Sequence, residues 1–347
     1  MQTRSRNPSI ARPDRRTVIA GSAAALALGP TLAQAANTGK LFRERVTRWL
    51  DLLELEQRAD AMFELGGRTW GRWNYMTGSI VAPGLPLERM TPEQKDAALD
   101  VLDTGLSQYG MKTAENIMLQ QDILRDEWGK GSPDRNRERF SLMTFGEPSE
   151  TAPWGLRWEG HHLTITFTLV GDQVVSQTPK AFSSEPNTVP SGPHKGLVVL
   201  PENETLGRAL FGDLKGGVRD KALLREESYG NVRALAGRED RITPLEGVAL
   251  GDLTLSQQDI AQRLIQIYTY DHLQGSLALE QAGRLRGEDP AAIHFGWAGP
   301  NEAEESMYYR LQGKTFLIEF ATLFGQPLHH HTVVHDLERN LGRHAIG

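Results

Sequence analysis

Short segments of alternating apolar and polar residues, separated by tight-turn residues, constrain the fold of this chain most. One group comprises residues 140–145, 154–159, 161–170 and 173–178; a second comprises 292–297, 307–311, 315–321 and 329–335. The two residues Gly171-Asp172 stand between two such segments, and a two-residue connection of this kind is typical of a β-hairpin; Gly313-Lys314 is a second candidate for a tight hairpin. Hairpins outnumber the crossover units that a parallel sheet needs, so we expect a mainly antiparallel sheet.

Helical patterns surround these strands. Apolar residues recur at helical spacing over 41–65, and further helices are expected from residue 91 to about 128, over 204–227 and over 254–284. Thr91 with Gln94, and Thr254 with Gln257, have the spacing of a capping box. We therefore predict an α+β fold with an N-terminal helical region and interspersed helices. Residues 36–347 would form one domain, helical over about 41–130 and strand-rich over about 140–347, with a loop at 179–200.

The first 35 residues have the pattern of an export signal. Arg15-Arg16 is a twin arginine, an apolar stretch follows over 20–28, and Ala33-Gln34-Ala35 is an A-x-A cleavage site. The apolar stretch is too short for a membrane anchor. We expect recognition by the twin-arginine export machinery and a periplasmic or secreted mature protein without stable membrane insertion.

Charge and cysteine content narrow the function further. The signal carries five arginines and one aspartate, so its removal changes the net charge from −6 to −10. An acidic protein of this kind is a poor partner for nucleic acid. The chain has no cysteine, which excludes thiolate ligands and cysteine nucleophiles. Common serine-hydrolase, zincin, phosphate-loop and dinucleotide signatures are also missing, and no organic cofactor is expected.

The strongest functional signal is the spacing of histidines near the C-terminus. On a strand, residues two apart share a face, so His329 and His331 would project together while His330 points away. His335 continues the same face. Paired imidazoles suit zinc, copper or iron. The alternative is a histidine-rich solvent edge without a function.

A second pair, His161-His162, is expected at the start of a strand. Adjacent strand residues face opposite sides, so only one of the two should face a buried site unless the chain bends at Gly160. The sequence does not decide which histidine would be the ligand. Either could instead be a hydrogen-bonded structural histidine at a strand end.

Three further residues are candidates for chemistry. Glu319 lies in an apolar run, where a carboxylate is costly unless it is paired or used. It could be a general base, a ligand or a group that orients a histidine, or it could form a salt bridge with Arg310. Tyr308 could direct its phenol towards the site, and His294 could lie nearby.

Taken together, these segments resemble a family known only as domain of unknown function number thirty-five hundred. The matching segments include Trp154-Gly155-Leu156-Arg157-Trp158-Glu159-Gly160-His161-His162-Leu163, His294-Phe295-Gly296-Trp297, Tyr308-Tyr309-Arg310 and Thr315-Phe316-Leu317-Ile318-Glu319-Phe320. His329, His331 and Asp336 fit the H-x-H and aspartate ending of the family. Residues 321–325 replace a polar stretch that the family has there. The resemblance supports the site residues and implies no established activity.

Two functional hypotheses follow. The first is a metal-dependent enzyme with His161 or His162, His329 and His331 as ligands to zinc, copper or iron, acting on a small-molecule substrate. The export route and the imidazole-only ligand set favour an oxidoreductase over a hydrolase. The second is a non-catalytic protein that binds a metal or a small ligand through the same histidines with a closed coordination sphere.

Overall fold

The computed structural model describes residues 32–76, 82–127, 135–238 and 245–346. Its helices are α1 Leu32–Asp51, α2 Leu55–Ala61, α3 Arg68–Gly71, α4 Pro92–Gly105, α5 Gln108–Asp126, α6 Asn203–Asp213, α7 Gly216–Ala222, α8 Leu255–Gln266, α9 Gly275–Arg286 and α10 Arg343–Ile346. Its strands are β1 Met62–Phe63, β2 Leu85–Pro86, β3 Ser141–Phe145, β4 Pro153–Gly160, β5 Leu163–Val170, β6 Gln173–Ser176, β7 Lys180–Phe182, β8 Leu223–Arg225, β9 Val248–Ala249, β10 His294–Ala298, β11 Tyr308–Gln312, β12 Phe316–Leu323 and β13 Gln326–Asp336. The chain is α+β, as the sequence predicted.

All the described strands belong to one sheet. Its main order is β1-β3-β4-β5-β7-β13-β12-β11-β10-β8, with β2, β6 and β9 added to β3, β5 and β10. Pairing is antiparallel except for β1 with β3 and β8 with β10. Both predicted hairpins are confirmed; Gly171-Asp172 is the whole connection between β5 and β6, whereas residues 313–315 connect β11 and β12. The two strand groups seen in the sequence are therefore the two halves of a continuous sheet.

A short strand that the sequence did not predict joins these halves. The expected loop over 179–200 contains β7, which pairs with β5 on one side and with β13 on the other. β7 has only three residues and follows Pro179, so its alternation is too short to stand out. Its position brings the β4–β5 hairpin beside β13.

Helix starts follow local chemistry. The Thr91 hydroxyl accepts a hydrogen bond from the Gln94 amide at 3.3 Å, and the Gln94 side chain accepts one from the Thr91 amide at 2.9 Å. The capping box of Thr254 and Gln257 is confirmed in the same way. The helix expected over 41–65 is instead two helices, since Glu54 and Gln57 form another capping box that starts α2.

The two faces of the sheet are covered differently. On one face, Trp154, Trp158 and Phe167 pack against Phe42 and Trp49 of α1. On the same face of the other half, aromatic side chains of β10–β12 pack against α6 and α8. The opposite face is covered by loop residues, which include Trp73, Tyr75 and Val232. The predicted site residues of β12 and β13 lie on this loop-covered face.

The predicted export signal falls mainly on residues 1–31, which lie outside the described residues. The A-x-A segment lies in the first turn of α1. Within the described ranges, none of the helices combines the length and the apolar character needed to cross a membrane.

Candidate metal centre

Two ligands of the candidate metal centre come from strand β13. The Nε2 atoms of His329 and His331 lie 3.0 Å apart, which confirms that residues two apart on this strand project together. His330 faces the other side, where its ring contacts Phe320 and its Nε2 lies 3.1 Å from a carboxylate oxygen of Glu204. The strand alternation therefore sorts the three consecutive histidines as predicted.

The third imidazole comes from a turn. β4 ends at Gly160 and β5 begins at Leu163, so His161 and His162 form the two-residue connection and not the start of a strand. His162 has a φ of 69°, in the left-handed region that residues other than glycine rarely adopt. Its Nε2 lies 3.0 Å from Nε2 of His329 and 3.3 Å from Nε2 of His331. The prediction of a strand from residue 161 was wrong because the turn lacks the usual glycine or asparagine.

The main chain fixes this turn against its neighbours. The His162 amide donates to the carbonyl of Tyr75 at 2.7 Å, and the His162 carbonyl accepts from the Ser183 amide at 2.8 Å. Ser183 follows β7 directly, so the strand that joins the two halves of the sheet also holds the turn. The centre thus depends on contacts between segments that are distant in sequence.

The spacing of the three nitrogens matches a metal site. Zinc binds imidazole nitrogen at about 2.0–2.1 Å, and a tetrahedral arrangement then separates two ligand nitrogens by roughly 3.4 Å. The observed separations are 3.0–3.3 Å. His162, His329 and His331 can therefore hold one metal ion through Nε2.

Hydrogen bonds at Nδ1 fix the tautomer of the two histidines on β13. Asn231 Oδ1 lies 2.8 Å from Nδ1 of His331 and also accepts the Val232 amide at 2.8 Å, so this atom is an acceptor. His331 must then carry its proton on Nδ1 and present a lone pair at Nε2. Nδ1 of His329 is 3.0 Å from the side-chain oxygen of Gln326. Both contacts at Nδ1 orient the Nε2 lone pair of the histidine towards the centre.

A second set of donors adjoins the first. His161, His162 and Glu185 also lie within ligand distance of one another. The ring of His161 stacks on that of His162 with centroids 3.7 Å apart, and its Nδ1 contacts Gln121 at 2.7 Å and Arg135 at 2.9 Å. Both histidines of the turn therefore lie at the centre, whereas strand geometry had predicted that only one would face it.

Burial keeps these imidazoles neutral. Removal from water is the largest cause that lowers the pKa of His161 and His162 well below the ordinary value, and it lowers the pKa of His331 to about 3. Neutral imidazole is the form that binds metals. The site therefore needs little proton release before an ion can bind at neutral pH.

Glu319 and Tyr308 lie on the same sheet face but contact each other. The Tyr308 hydroxyl donates to Glu319 at 2.6 Å, and the Arg233 and Ala234 amides donate to the same carboxylate. Burial raises the pKa of Glu319. Arg310 stands opposite Glu319 in the ladder, yet its guanidinium donates to Glu246 at 2.8 Å. Glu319 thus holds the loop that carries Asn231. Its link to the imidazoles runs through this loop, since Asn231 contacts Nδ1 of His331.

The other two histidines singled out lie elsewhere. Ladder pairing runs from His294 through Gln312 and Leu317 to His335, which separates His294 from β13 by two intervening strands. His335 shares the face of His331, as predicted. Its Nε2 is 2.8 Å from the Ala234 carbonyl, and its Nδ1 is 3.1 Å from Asn340. Neither belongs to the described metal-ligand groups.

Three residues of this site were not predicted from the sequence. Tyr75, Glu185 and Asn231 come from loops, and no periodic pattern marks them. Glu185 precedes Pro186 and is 4% exposed. In the sequence, an acid before a proline does not by itself mark a site residue.

Comparison with known proteins gives a family and nothing more specific. A family model described as "Protein of unknown function (DUF3500)" matches residues 35–343. Comparison with curated proteins and comparison with solved structures find no match. The matched range starts at the end of the predicted export signal and includes every residue of the candidate centre.

Proposed function

This chain belongs to the DUF3500 family, whose description gives no activity, so we propose from the site that it is a metal-dependent enzyme and from its first 35 residues that it is exported. His162, His329 and His331 would bind one transition-metal ion, with zinc, copper and iron as candidates. The observation that carries this proposal is the convergence of three Nε2 atoms within 3.0–3.3 Å. Three protein ligands leave a coordination position for water or substrate.

The donor set favours redox chemistry over hydrolysis. All three ligands are neutral nitrogen donors, which suit copper and iron as well as zinc. Such ligands add no negative charge, so the ion would keep its full charge and would supply Lewis-acid or redox chemistry. The predicted twin-arginine route, which exports folded proteins, agrees with metal uptake before export. We therefore propose an oxidoreductase acting on a small molecule, with hydrolysis as the competing reaction.

Metal content tests the proposal directly. The full chain, with its own leader, is expressed and recovered from the periplasm, and metals are measured by mass spectrometry. We expect about one ion per chain, as for a single set of three ligands. The double variant His329→Ala/His331→Ala should lack the ion, while His344→Ala, on the terminal helix, should retain it. Metal-free wild-type protein whose melting temperature is unaffected by chelators would contradict the proposal.

The export step has its own test. Replacement of Arg15 and Arg16 by lysine should retain the protein in the cytoplasm, as measured by cell fractionation. A matched exchange of Arg4 and Arg6 should leave its distribution unchanged. Periplasmic recovery of the Arg15/Arg16 variant would argue against twin-arginine export and would leave the metal proposal intact.

A non-catalytic metal-binding protein is the second candidate. Glu185 and His161 favour it, since either could close the coordination sphere from the adjoining donor set. X-ray absorption of the loaded protein separates the two functions. Three nitrogen ligands with an exchangeable oxygen support the enzyme, whereas four protein ligands without exchangeable water support the binding protein.

A further inference from the structure

Tyr75 is held against two of the three proposed ligands. Its main-chain carbonyl accepts the hydrogen bond from the His162 amide at 2.7 Å. Its ring meets the ring of His331 edge-on, with centroids 5.2 Å apart and an interplanar angle of 86°. Tyr75 therefore contacts both the turn and the strand that form the centre.

The phenol of Tyr75 is buried without a protein partner. The residue is 1% exposed, and its hydroxyl makes no hydrogen bond to any of the described residues. A phenol in its neutral form is a hydrogen-bond donor, so this hydroxyl can donate. A buried hydroxyl without a partner is unfavourable, which makes its position informative.

Other buried tyrosines on this sheet are fully paired. The Tyr308 hydroxyl donates to Glu319 at 2.6 Å, and the Tyr309 hydroxyl bonds both Tyr268 and the Asn203 carbonyl. The missing partner is therefore a property of Tyr75 and not of tyrosines in this core. Because the Tyr75 ring packs against the ring of His331, a group bound at the centre is the candidate for this partner.

We propose that the Tyr75 hydroxyl donates a hydrogen bond to the ligand in the open position of the metal, an anionic oxygen of hydroxide or of the substrate. This inference rests on the proposed metal centre and adds a residue that would touch the reacting ligand. A metal with three neutral imidazoles binds anions readily, and a donor in a water-poor site strengthens that binding. Tyr75 would thus favour anionic over neutral ligands.

The test uses full-length protein loaded with cobalt(II), whose visible spectrum reports changes at the metal. Azide, a small anion that accepts hydrogen bonds when coordinated, is titrated into wild type and Tyr75→Phe. We expect the same cobalt affinity in both and at least about tenfold weaker azide binding in the variant, the loss typical of a hydrogen bond to a charged group. Metal-free Tyr75→Phe should melt at the same temperature as wild type or higher, because no protein hydrogen bond is lost.

Tyr268→Phe is the matched control. It also removes a buried hydroxyl, but one that bonds Tyr309 on the opposite face of the sheet. It should lower the melting temperature and leave azide affinity unchanged. Unchanged azide affinity in Tyr75→Phe with normal cobalt binding would overturn the role of Tyr75 alone, as expected if the phenol only bonds a structural water. Failure of wild type to bind cobalt would overturn the metal centre itself.

Discussion

The strand and the turn that supply the imidazoles hold them in different ways. On β13, His331 stands in a ladder opposite Ala321 of β12, and its Nδ1 is fixed by Asn231. His162 occupies a turn residue with positive φ, and its Nδ1 has no hydrogen-bond partner among the described residues. The strand ligand is positioned by regular pairing and by a side-chain support. The turn ligand is positioned by its main chain.

This difference identifies the contacts on which the position of each ligand depends. The ladder forms as soon as β12 and β13 pair. The turn reaches β13 only when β7 lies between β5 and β13 and when Tyr75 accepts the His162 amide. We therefore expect both ligands to be equally necessary for the metal, while their environments respond differently to substitution.

Removal of either ligand should give the largest effect. A structural zinc ion contributes about 10–16 kcal/mol across four ligands, so each ligand accounts for roughly 2.5–4 kcal/mol. His162→Asn and His331→Asn should each weaken metal binding by at least about a hundredfold in competition with a chelating dye. His330→Asn, which changes the neighbour on the opposite face, should retain wild-type affinity. A tightly bound metal in His162→Asn would show that the turn is not part of the centre.

How far each ligand could be predicted follows from the same difference. Alternation alone separated His329 and His331 from His330, because a strand has a fixed period. No comparable rule applied to His161-His162, since a two-residue turn with histidine at positive φ resembles the start of a strand in sequence. The hairpins and the α+β class were equally accessible, because turn residues and capping boxes are local.

Long-range pairing could not be predicted. β7, the contact of Tyr75 with His162, and the Asn231 support all join segments far apart in the chain. Glu319 illustrates the limit. The sequence indicated that a buried carboxylate needs a partner, but it offered Arg310, the ladder neighbour, and not Tyr308. The sequence predicted that burying the Glu319 carboxylate is unfavourable, but it did not predict that Tyr308 would pair with it.

Loss of the strand ligand's support should give the next largest effect. Asn231→Ala removes the acceptor at Nδ1 of His331, and changes of this kind typically weaken metal binding about 10–100-fold. Isothermal titration of the metal-free protein measures the change. Asn340→Ala is the control, because it removes a similar contact, 3.1 Å from Nδ1 of His335, which is not a proposed ligand. Equal losses in both variants would show that the support acts on general stability.

Acid should destabilise the metal-free protein through the strand ligand. Burial lowers the pKa of His331 from 6.5 to about 3, so between these values the unfolded chain binds a proton that the folded protein does not. Stability is then fully present above pH 6.5 and decreases as the pH falls towards 3. In denaturant titrations, His331→Asn should lower the slope of the unfolding free energy against pH by about one proton, or ~1.4 kcal/mol per pH unit. An unchanged slope in His331→Asn would contradict a neutral buried imidazole.

The smallest predicted effect is the stability difference between a glycine and an alanine variant, which should have opposite signs at the turn and at the strand. At His162, with φ of 69°, alanine is strained and glycine is not, so His162→Gly should be more stable than His162→Ala by about 1 kcal/mol in metal-free protein. At His331, inside β13, glycine gains nothing from its freedom, so His331→Gly should be less stable than His331→Ala by roughly 0.5–1 kcal/mol. Urea unfolding of the four variants gives both differences on one scale. If the two differences had the same sign, His162 would not occupy a left-handed turn, and the geometry that brings its Nε2 to the centre would be wrong.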